Sequence, residues 1–138
     1  MQLKQMFNTN YNKMKKYILC IGMMGLALQG YSQSADKGKG IYGKTCIACH
    51  QAAGQGIPGA FPPLAKSDYL NKDVNRAIKG VVKGLSGPIT VNGKKFSGAM
   101  PAQALSDQQI ADAMTYVYAS WGNNKTLVTP AMIKAQRK

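Results

Sequence analysis

One pentapeptide constrains this chain more than any other feature, the sequence Cys46-Ile47-Ala48-Cys49-His50. A C-x-x-C-H sequence is the attachment motif of a c-type haem. On a helix the two thiols lie about one turn apart, so both can reach one porphyrin, and the next residue, His50, then faces its iron. The motif therefore predicts covalent bonds from Cys46 and Cys49 to one haem c and an axial bond from His50 to the iron.

Three other interpretations of the motif stay open on these residues alone. A structural zinc site needs about four nitrogen or sulfur ligands, whereas the chain beyond residue 33 offers two cysteines and one histidine. A thioredoxin-like redox pair expects a βαβ setting, and no strong strand pattern flanks the motif. The third interpretation is a surface coincidence without chemistry.

Residues 1–33 have the pattern of a cleaved secretory signal peptide. Lys13, Lys15 and Lys16 form its positive region, and the apolar run 18–28 that follows is too short to span a bilayer comfortably. An uncleaved anchor is the alternative, and the translation start can be Met1 or Met14. We therefore expect a periplasmic or otherwise extracytoplasmic location.

The charge of the chain favours acidic partners. The formal net charge is +13, and because the first 33 residues hold four lysines and no acid, the remainder carries +9. Such a charge can steer the protein towards acidic docking surfaces, although it can also serve solubility alone. Nucleic acid is not expected, since the charges are scattered lysines with two arginines and no recognisable module. Membrane contact is expected only through a partner or an uncleaved leader.

Hydrophobic periodicity predicts helices on both sides of the motif. They are expected over about residues 34–47, 71–85, 106–122 and a short stretch from residue 129. Ser106 and Gln109 form a capping box for the third helix. The loop 51–66 is rich in glycine and proline yet apolar, which predicts a wall over the histidine side of the haem.

Met100 is the predicted second axial ligand. It follows a small hairpin over residues 89–96, which Asn92-Gly93 predicts through a type I′ turn. Beyond the leader, Met114 lies on an apolar helical stripe and Met132 in the tail, whereas Met100 sits in a loop constrained by glycine and proline. A methionine opposite a histidine raises the reduction potential of haem iron.

These motifs resemble class I mono-haem cytochromes c over about residues 35–123. The resemblance is carried by Gly38-x-x-x-Tyr42, Cys46-x-x-Cys49-His50, Gly98-Ala99-Met100-Pro101 and Tyr116. It implies an all-α cytochrome c fold in which three to five helices surround one covalently bound haem and a small hairpin precedes the axial methionine. It also implies that the first and last helices of the domain cross where Gly38, Tyr42 and Tyr116 meet.

The resemblance further implies a domain plan. Residues 34–123 correspond to the cytochrome c domain, and residues 124–138 are a basic C-terminal extension, expected as a short helix. The family has a proline whose carbonyl accepts a hydrogen bond from the ligand histidine. Pro62 is the best match for it, with Pro63 adjacent.

The implied function is one-electron transfer between extracytoplasmic redox proteins, without enzymatic activity. Residues 56–64 and 120–123 resemble cytochrome modules that accompany copper nitrite reductases, membrane alcohol dehydrogenases and terminal oxidases, so a dedicated electron-entry subunit of a larger oxidoreductase is one alternative. A haem enzyme or gas sensor with an open iron site is another. Six lysines could ring the haem edge: Lys44, Lys66, Lys79, Lys83, Lys94 and Lys95.

Overall fold

The computed structural model describes residues 34–138, so the expected leader lies outside the described residues. The described chain forms helices α1 (34–45), α2 (Ile47–His50), α3 (Asp68–Lys72), α4 (Val74–Lys83), α5 (Asp107–Ala119) and α6 (Pro130–Arg137), and an antiparallel hairpin of strands β1 (Ile89–Val91) and β2 (Lys94–Phe96). The helical fold class is confirmed. The described part has six helices rather than three to five because α2 and α3 contain only four and five residues.

The predicted single helix over 71–85 is wrong, because the chain breaks at Asp73. The backbone of Asp73 is extended (φ −153°, ψ 100°), and its carboxylate accepts a hydrogen bond of 3.0 Å from the backbone N–H of Arg76. An aspartate in this position caps the N-terminus of a helix, which favours a new helix start over continuation. The sequence therefore folds into α3 and α4, and α4 ends as predicted at Gly84 (φ +81°).

Local signals set most of the other boundaries. The capping box of α5 is confirmed: Gln109 N–H donates to Ser106 Oγ at 3.2 Å, and Ser106 N–H donates to Gln109 Oε1 at 2.9 Å. The type I′ turn of the hairpin is also confirmed, with φ of +49° at Asn92 and +75° at Gly93. Helix α5 ends at Ala119, three residues before the predicted glycine stop. No described helix is long and apolar enough to cross a bilayer.

Helices α1 and α5 pack closely at Gly38, as the sequence predicts. A Cβ atom at Gly38 would overlap the carbonyl oxygen of Asp112 and would lie 2.6 Å from its carbonyl carbon and 2.8 Å from Tyr116 Cβ. One turn further on, the rings of Tyr42 and Tyr116 have centroids 5.5 Å apart. Only a residue without a side chain allows these two backbones to approach in this way.

The C-terminal segment belongs to the same packed unit as the rest of residues 34–138. Helix α6 packs against α4 and α5, and Ile133 is completely buried. Val128, which precedes α6, is also buried and exchanges two hydrogen bonds of 3.1 and 3.2 Å with the Thr115 hydroxyl. Residues 124–138 therefore contribute apolar side chains to the core.

The close crossing of α1 and α5 makes a testable prediction. Gly38→Ala is expected to lower the free energy of unfolding by about 1–3 kcal/mol or more, because the added methyl group forces two backbones apart. Gly40→Ala in the same helix is the matched control, since its new Cβ would have no neighbour within 4 Å. The control is expected to gain about 0.5–1 kcal/mol from better helix propensity. Urea unfolding of both variants measures the difference, and a stabilised Gly38→Ala would contradict the close approach.

Candidate functional site

The C-x-x-C-H segment lies on a nearly continuous helical path. Helix α1 ends at residue 45 and α2 begins at Ile47, while backbone hydrogen bonds of 2.9 Å from Cys46 to Tyr42 and from His50 to Cys46 bridge the step between them. Both cysteines are half-buried free thiols. The helical spacing expected for the motif is therefore present.

The imidazole of His50 is held in one orientation and one tautomer. Its Nδ1 lies 3.0 Å from the carbonyl oxygen of Pro62, not of Pro63. A carbonyl can only accept, so Nδ1 carries the proton and Nε2 keeps a lone pair. Burial lowers the pKa of His50, and the bond to Pro62 opposes this only in part. The ring is therefore neutral at pH 7 and able to ligate a metal through Nε2.

His50 and Cys46 open onto an apolar cavity. Met100 lines the same cavity, so the structure brings together three of the four predicted site residues; Cys49 is adjacent in the chain but does not line it. The remaining lining residues are Leu64, Leu70, Val81, Gln103, Leu105, Ile110, Ala113, Met114 and Val117.

Met100 is held at the cavity by backbone contacts with the end of α4. Met100 and Leu85 exchange hydrogen bonds of 2.8 and 2.9 Å as an isolated antiparallel bridge. A Cβ at Gly84 would lie 2.9 Å from the Met100 carbonyl oxygen, so the glycine allows this close contact. Met114 on α5 also lines the cavity and is therefore a second candidate for the axial sulfur ligand. Its place on an apolar helical stripe did not predict this position.

A second cavity shares Leu64 and Leu70 with the first, and Arg76 is among the residues that line it. The Arg76 Nη2 donates to the Tyr69 carbonyl at 2.7 Å, and the guanidinium carbon lies 3.9 Å from the centre of the Tyr69 ring. The Nε of Arg76 is buried and has no hydrogen-bond partner among the described residues. A buried N–H without an acceptor is costly, and a carboxylate supplies the acceptor that it lacks.

These residues fit a haem. The apolar lining of the first cavity would hold a porphyrin face, His50 and Met100 would supply nitrogen and sulfur to its iron, and Arg76 would pair with one of its carboxylate side groups. Sequence reasoning did not assign Arg76 a role. The available signal was weak, since Arg76 is simply one of two arginines in a lysine-rich chain.

The two chemical alternatives for the motif gain no support. No group of three or more His, Cys, Asp or Glu side chains in residues 34–138 is placed to hold a metal ion, as a zinc site would require. Burial raises the pKa of the Cys46 thiol, whereas reactive redox cysteines have a lowered pKa. The sheet of the described chain has only two antiparallel strands and provides no βαβ unit.

Asn123 connects two walls of the cavity, and sequence reasoning assigned it no role. Its Nδ2 donates to the carbonyls of Leu64 and Val117, both at 2.9 Å, and both residues line the cavity. Its Oδ1 accepts from Ser67 N–H and from Asn71 Nδ2, both at 3.2 Å. The buried amide is thus fully hydrogen-bonded, which ties the proline-rich loop to the end of α5.

Comparison with known proteins agrees with this site. The family model described as Cytochrome c matches residues 35–121. Cytochrome c-552 of Thermus thermophilus is 41% identical over 108 residues, which cover 75% of this chain and 72% of the relative. Cytochrome c-555 of Chlorobaculum thiosulfatiphilum is 28% identical over 87 residues, covering 60% of this chain and 92% of the relative.

The chain is also similar to one part of a larger protein. The cytochrome c subunit of the quinone alcohol dehydrogenase of Gluconobacter oxydans is 32% identical over 102 residues, which cover 71% of this chain but only 21% of that subunit. Together with the helical fold and the cavity beside Cys46 and His50, the match over residues 35–121 shows that the chain belongs to the cytochrome c family.

Proposed function

We propose that this protein is a one-electron carrier whose haem is bonded to Cys46 and Cys49 and whose iron is ligated by His50 and Met100. The observation that carries the proposal is that His50, with its Nε2 lone pair free, and Met100 line the same apolar cavity as Cys46. When bound, the haem supplies a single-electron ferrous/ferric couple. With both axial positions filled by the protein, no iron site is left for a substrate.

The residues around the iron position act on the reduction potential in opposite directions. The soft thioether of Met100 favours ferrous iron and raises the potential. The apolar lining acts in the same sense, because a low-dielectric wall penalises the additional positive charge of the ferric state. The hydrogen bond from His50 to Pro62 makes the imidazole more basic and so favours the ferric state.

Residues 1–33 are proposed as the signal that directs the chain out of the cytoplasm. Haem attachment and electron exchange would then occur outside the cytoplasm. The pattern of basic residues followed by a short apolar run supports this assignment. Residues 34–123 are proposed as the domain that carries the haem.

Covalent attachment is tested on purified protein from cells that attach c-type haem. We expect mass spectrometry to show one haem per chain, and we expect the pigment to stay with the polypeptide after denaturation and acid extraction. Replacing Cys46 and Cys49 together with serine should release the pigment, while the wild type keeps it. A wild-type chain that gives up its pigment freely would contradict the proposal.

The ligand role of Met100 is tested against Met114, since both methionines line the cavity. Met100→Leu and Met114→Leu keep the side-chain volume and remove the sulfur. Only Met100→Leu is expected to change the visible spectrum and to admit carbon monoxide to the reduced protein. If loss of the Met100 thioether shifts the ferrous/ferric equilibrium a thousandfold towards ferric iron, the reduction potential falls by about 180 mV, at 59 mV for each tenfold change. Rapid carbon monoxide binding to the wild type would instead favour an open-site haem protein.

We further propose that acidic surfaces on redox partners dock at the cavity mouth. The six lysines expected at the haem edge are all exposed. Four of them lie within two positions of a residue that lines the cavity: Lys44, Lys66, Lys79 and Lys83. The five aspartates are fewer than the lysines: Asp112 is buried, Asp107 is paired with Arg137 at 2.6 Å, and Asp36, Asp68 and Asp73 are exposed.

Electrostatic docking predicts that second-order electron-transfer rates fall as salt rises, because screening shortens the reach of the charges. Lys79→Gln is expected to lower the rate at low salt and to weaken its salt dependence. Lys134→Gln is the control and should do neither, since Lys134 is exposed and lies on α6, which supplies no residue to the cavity lining. Rates that are independent of salt would argue against acidic partners.

An enzyme that stays bound through gel filtration would select the alternative of a dedicated electron-entry subunit, which the similarity to a dehydrogenase subunit supports.

A further inference from the structure

We propose that Gly56 is a positioning residue that sets the reduction potential by holding the Pro62 carbonyl against His50. The inference rests on the proposed function, in which His50 binds the iron. Gly56 does not itself line the cavity. It is bonded to the backbone carbonyl of His50 and packed against the Pro62 carbonyl, so it would act on the iron through the hydrogen bond between His50 and Pro62.

Gly56 is bonded to one partner of this hydrogen bond and packed against the other. Its backbone N–H donates to the carbonyl oxygen of His50 at 3.0 Å. A Cβ atom on Gly56 would overlap the carbonyl oxygen of Phe61 and would lie 2.7 Å from both the carbonyl carbon and the carbonyl oxygen of Pro62. That oxygen is the acceptor of the Nδ1–H of His50.

The contact between Gly56 and the carbonyls of residues 61 and 62 cannot relax cheaply. Its atoms belong to the backbone and not to the flexible end of a side chain. The segment is also fixed by two hydrogen bonds of 2.9 Å between Ile57 and Phe61, which form an isolated antiparallel bridge. A side chain at position 56 must therefore displace the Pro62 carbonyl from its place beside His50.

Displacement of that carbonyl has a defined effect on the iron. The hydrogen bond at Nδ1 raises the basicity of a ligand imidazole, and a more basic ligand favours the ferric state. A longer or bent hydrogen bond removes part of this stabilisation, so the reduction potential rises. A glycine needed only for folding would change stability without shifting the potential in a defined direction.

Gly59 provides a matched control in the same loop. Both glycines have left-handed backbone angles, with φ of +66° at Gly56 and +75° at Gly59. An alanine at either position is therefore strained to a similar extent. However, a Cβ at Gly59 would have no heavy atom within 4 Å. The two substitutions thus share the strain and differ in the contact with Pro62.

The experiment is potentiometric titration of the haem-loaded wild type, Gly56→Ala and Gly59→Ala. We expect Gly56→Ala to raise the potential by about 59 mV, which corresponds to a tenfold change in the equilibrium constant for one electron. The proton NMR shift of the His50 Nδ1–H in the reduced protein should move in the direction of a weaker hydrogen bond. Gly59→Ala should leave both readouts at the wild-type value. Equal potentials for the two variants would overturn the proposal.

A companion variant covers the case in which Gly56→Ala does not accumulate. Pro62→Ala keeps the carbonyl and removes the ring that fixes its backbone, so this carbonyl can move aside. We expect Gly56→Ala combined with Pro62→Ala to accumulate as Pro62→Ala alone does, and to have the same reduction potential as Pro62→Ala alone, because the carbonyl has already moved aside. No recovery in the double variant would overturn the role of Gly56.

Failure of the proposed function would look different from failure of this inference. A wild-type protein without covalent haem would refute the proposed function before any variant is compared. A haem-loaded wild type with an unchanged potential in Gly56→Ala would refute only the positioning role.

Discussion

The hydrogen bond from His50 Nδ1 to the Pro62 carbonyl is the interaction on which the functional site depends. It joins the end of the C-x-x-C-H helix to the proline-rich loop, and it decides which imidazole nitrogen is available. Without it the ring of His50 could rotate, and either tautomer could form. One 3.0 Å contact therefore gives this buried histidine a fixed orientation and leaves Nε2 as its unprotonated nitrogen.

The surroundings of this bond are held by a buried amide, Asn123, and a buried hydroxyl, Tyr118, which donate hydrogen bonds to backbone carbonyls. Asn123 ties Leu64, two residues after Pro62, to Val117 on α5, so the loop that carries the carbonyl cannot shift independently of the helix. Tyr118 on the same helix donates its hydroxyl to the Leu70 carbonyl at 2.9 Å. Burial raises the pKa of Tyr118 to about 12, so this donor keeps its proton at neutral pH. Each of these three hydrogen bonds is accepted by the backbone carbonyl of a residue that lines the cavity.

The features that could be predicted from the sequence are those with local signals. The capping box at Ser106, the Asn92-Gly93 turn and the haem motif each require only a few neighbouring residues, and the structure contains all three elements. The helix break at Asp73 was missed because the apolar periodicity continues across it, although an aspartate can also start a helix. Asn123 bonds to Leu64, Ser67 and Asn71, which are remote in the chain, so periodicity and spacing gave no indication of its partners. Arg76 bonds to Tyr69 across the helix break at Asp73, which the periodicity did not predict.

The hydrophobic core of this small domain and the lining of the cavity have residues in common. Leu70, Ile110, Met114 and Val117 belong to the buried core and also line the cavity beside His50. A change at any of them alters the packing of helices and the wall of the cavity together, so its effects on stability and on the iron cannot be separated. Gly56 in the loop that carries Pro62 is different, because a Cβ there would meet backbone atoms of Phe61 and Pro62 and not core side chains. A change at Gly56 would therefore reach the proposed iron ligand through one backbone carbonyl, without altering a side chain of the core.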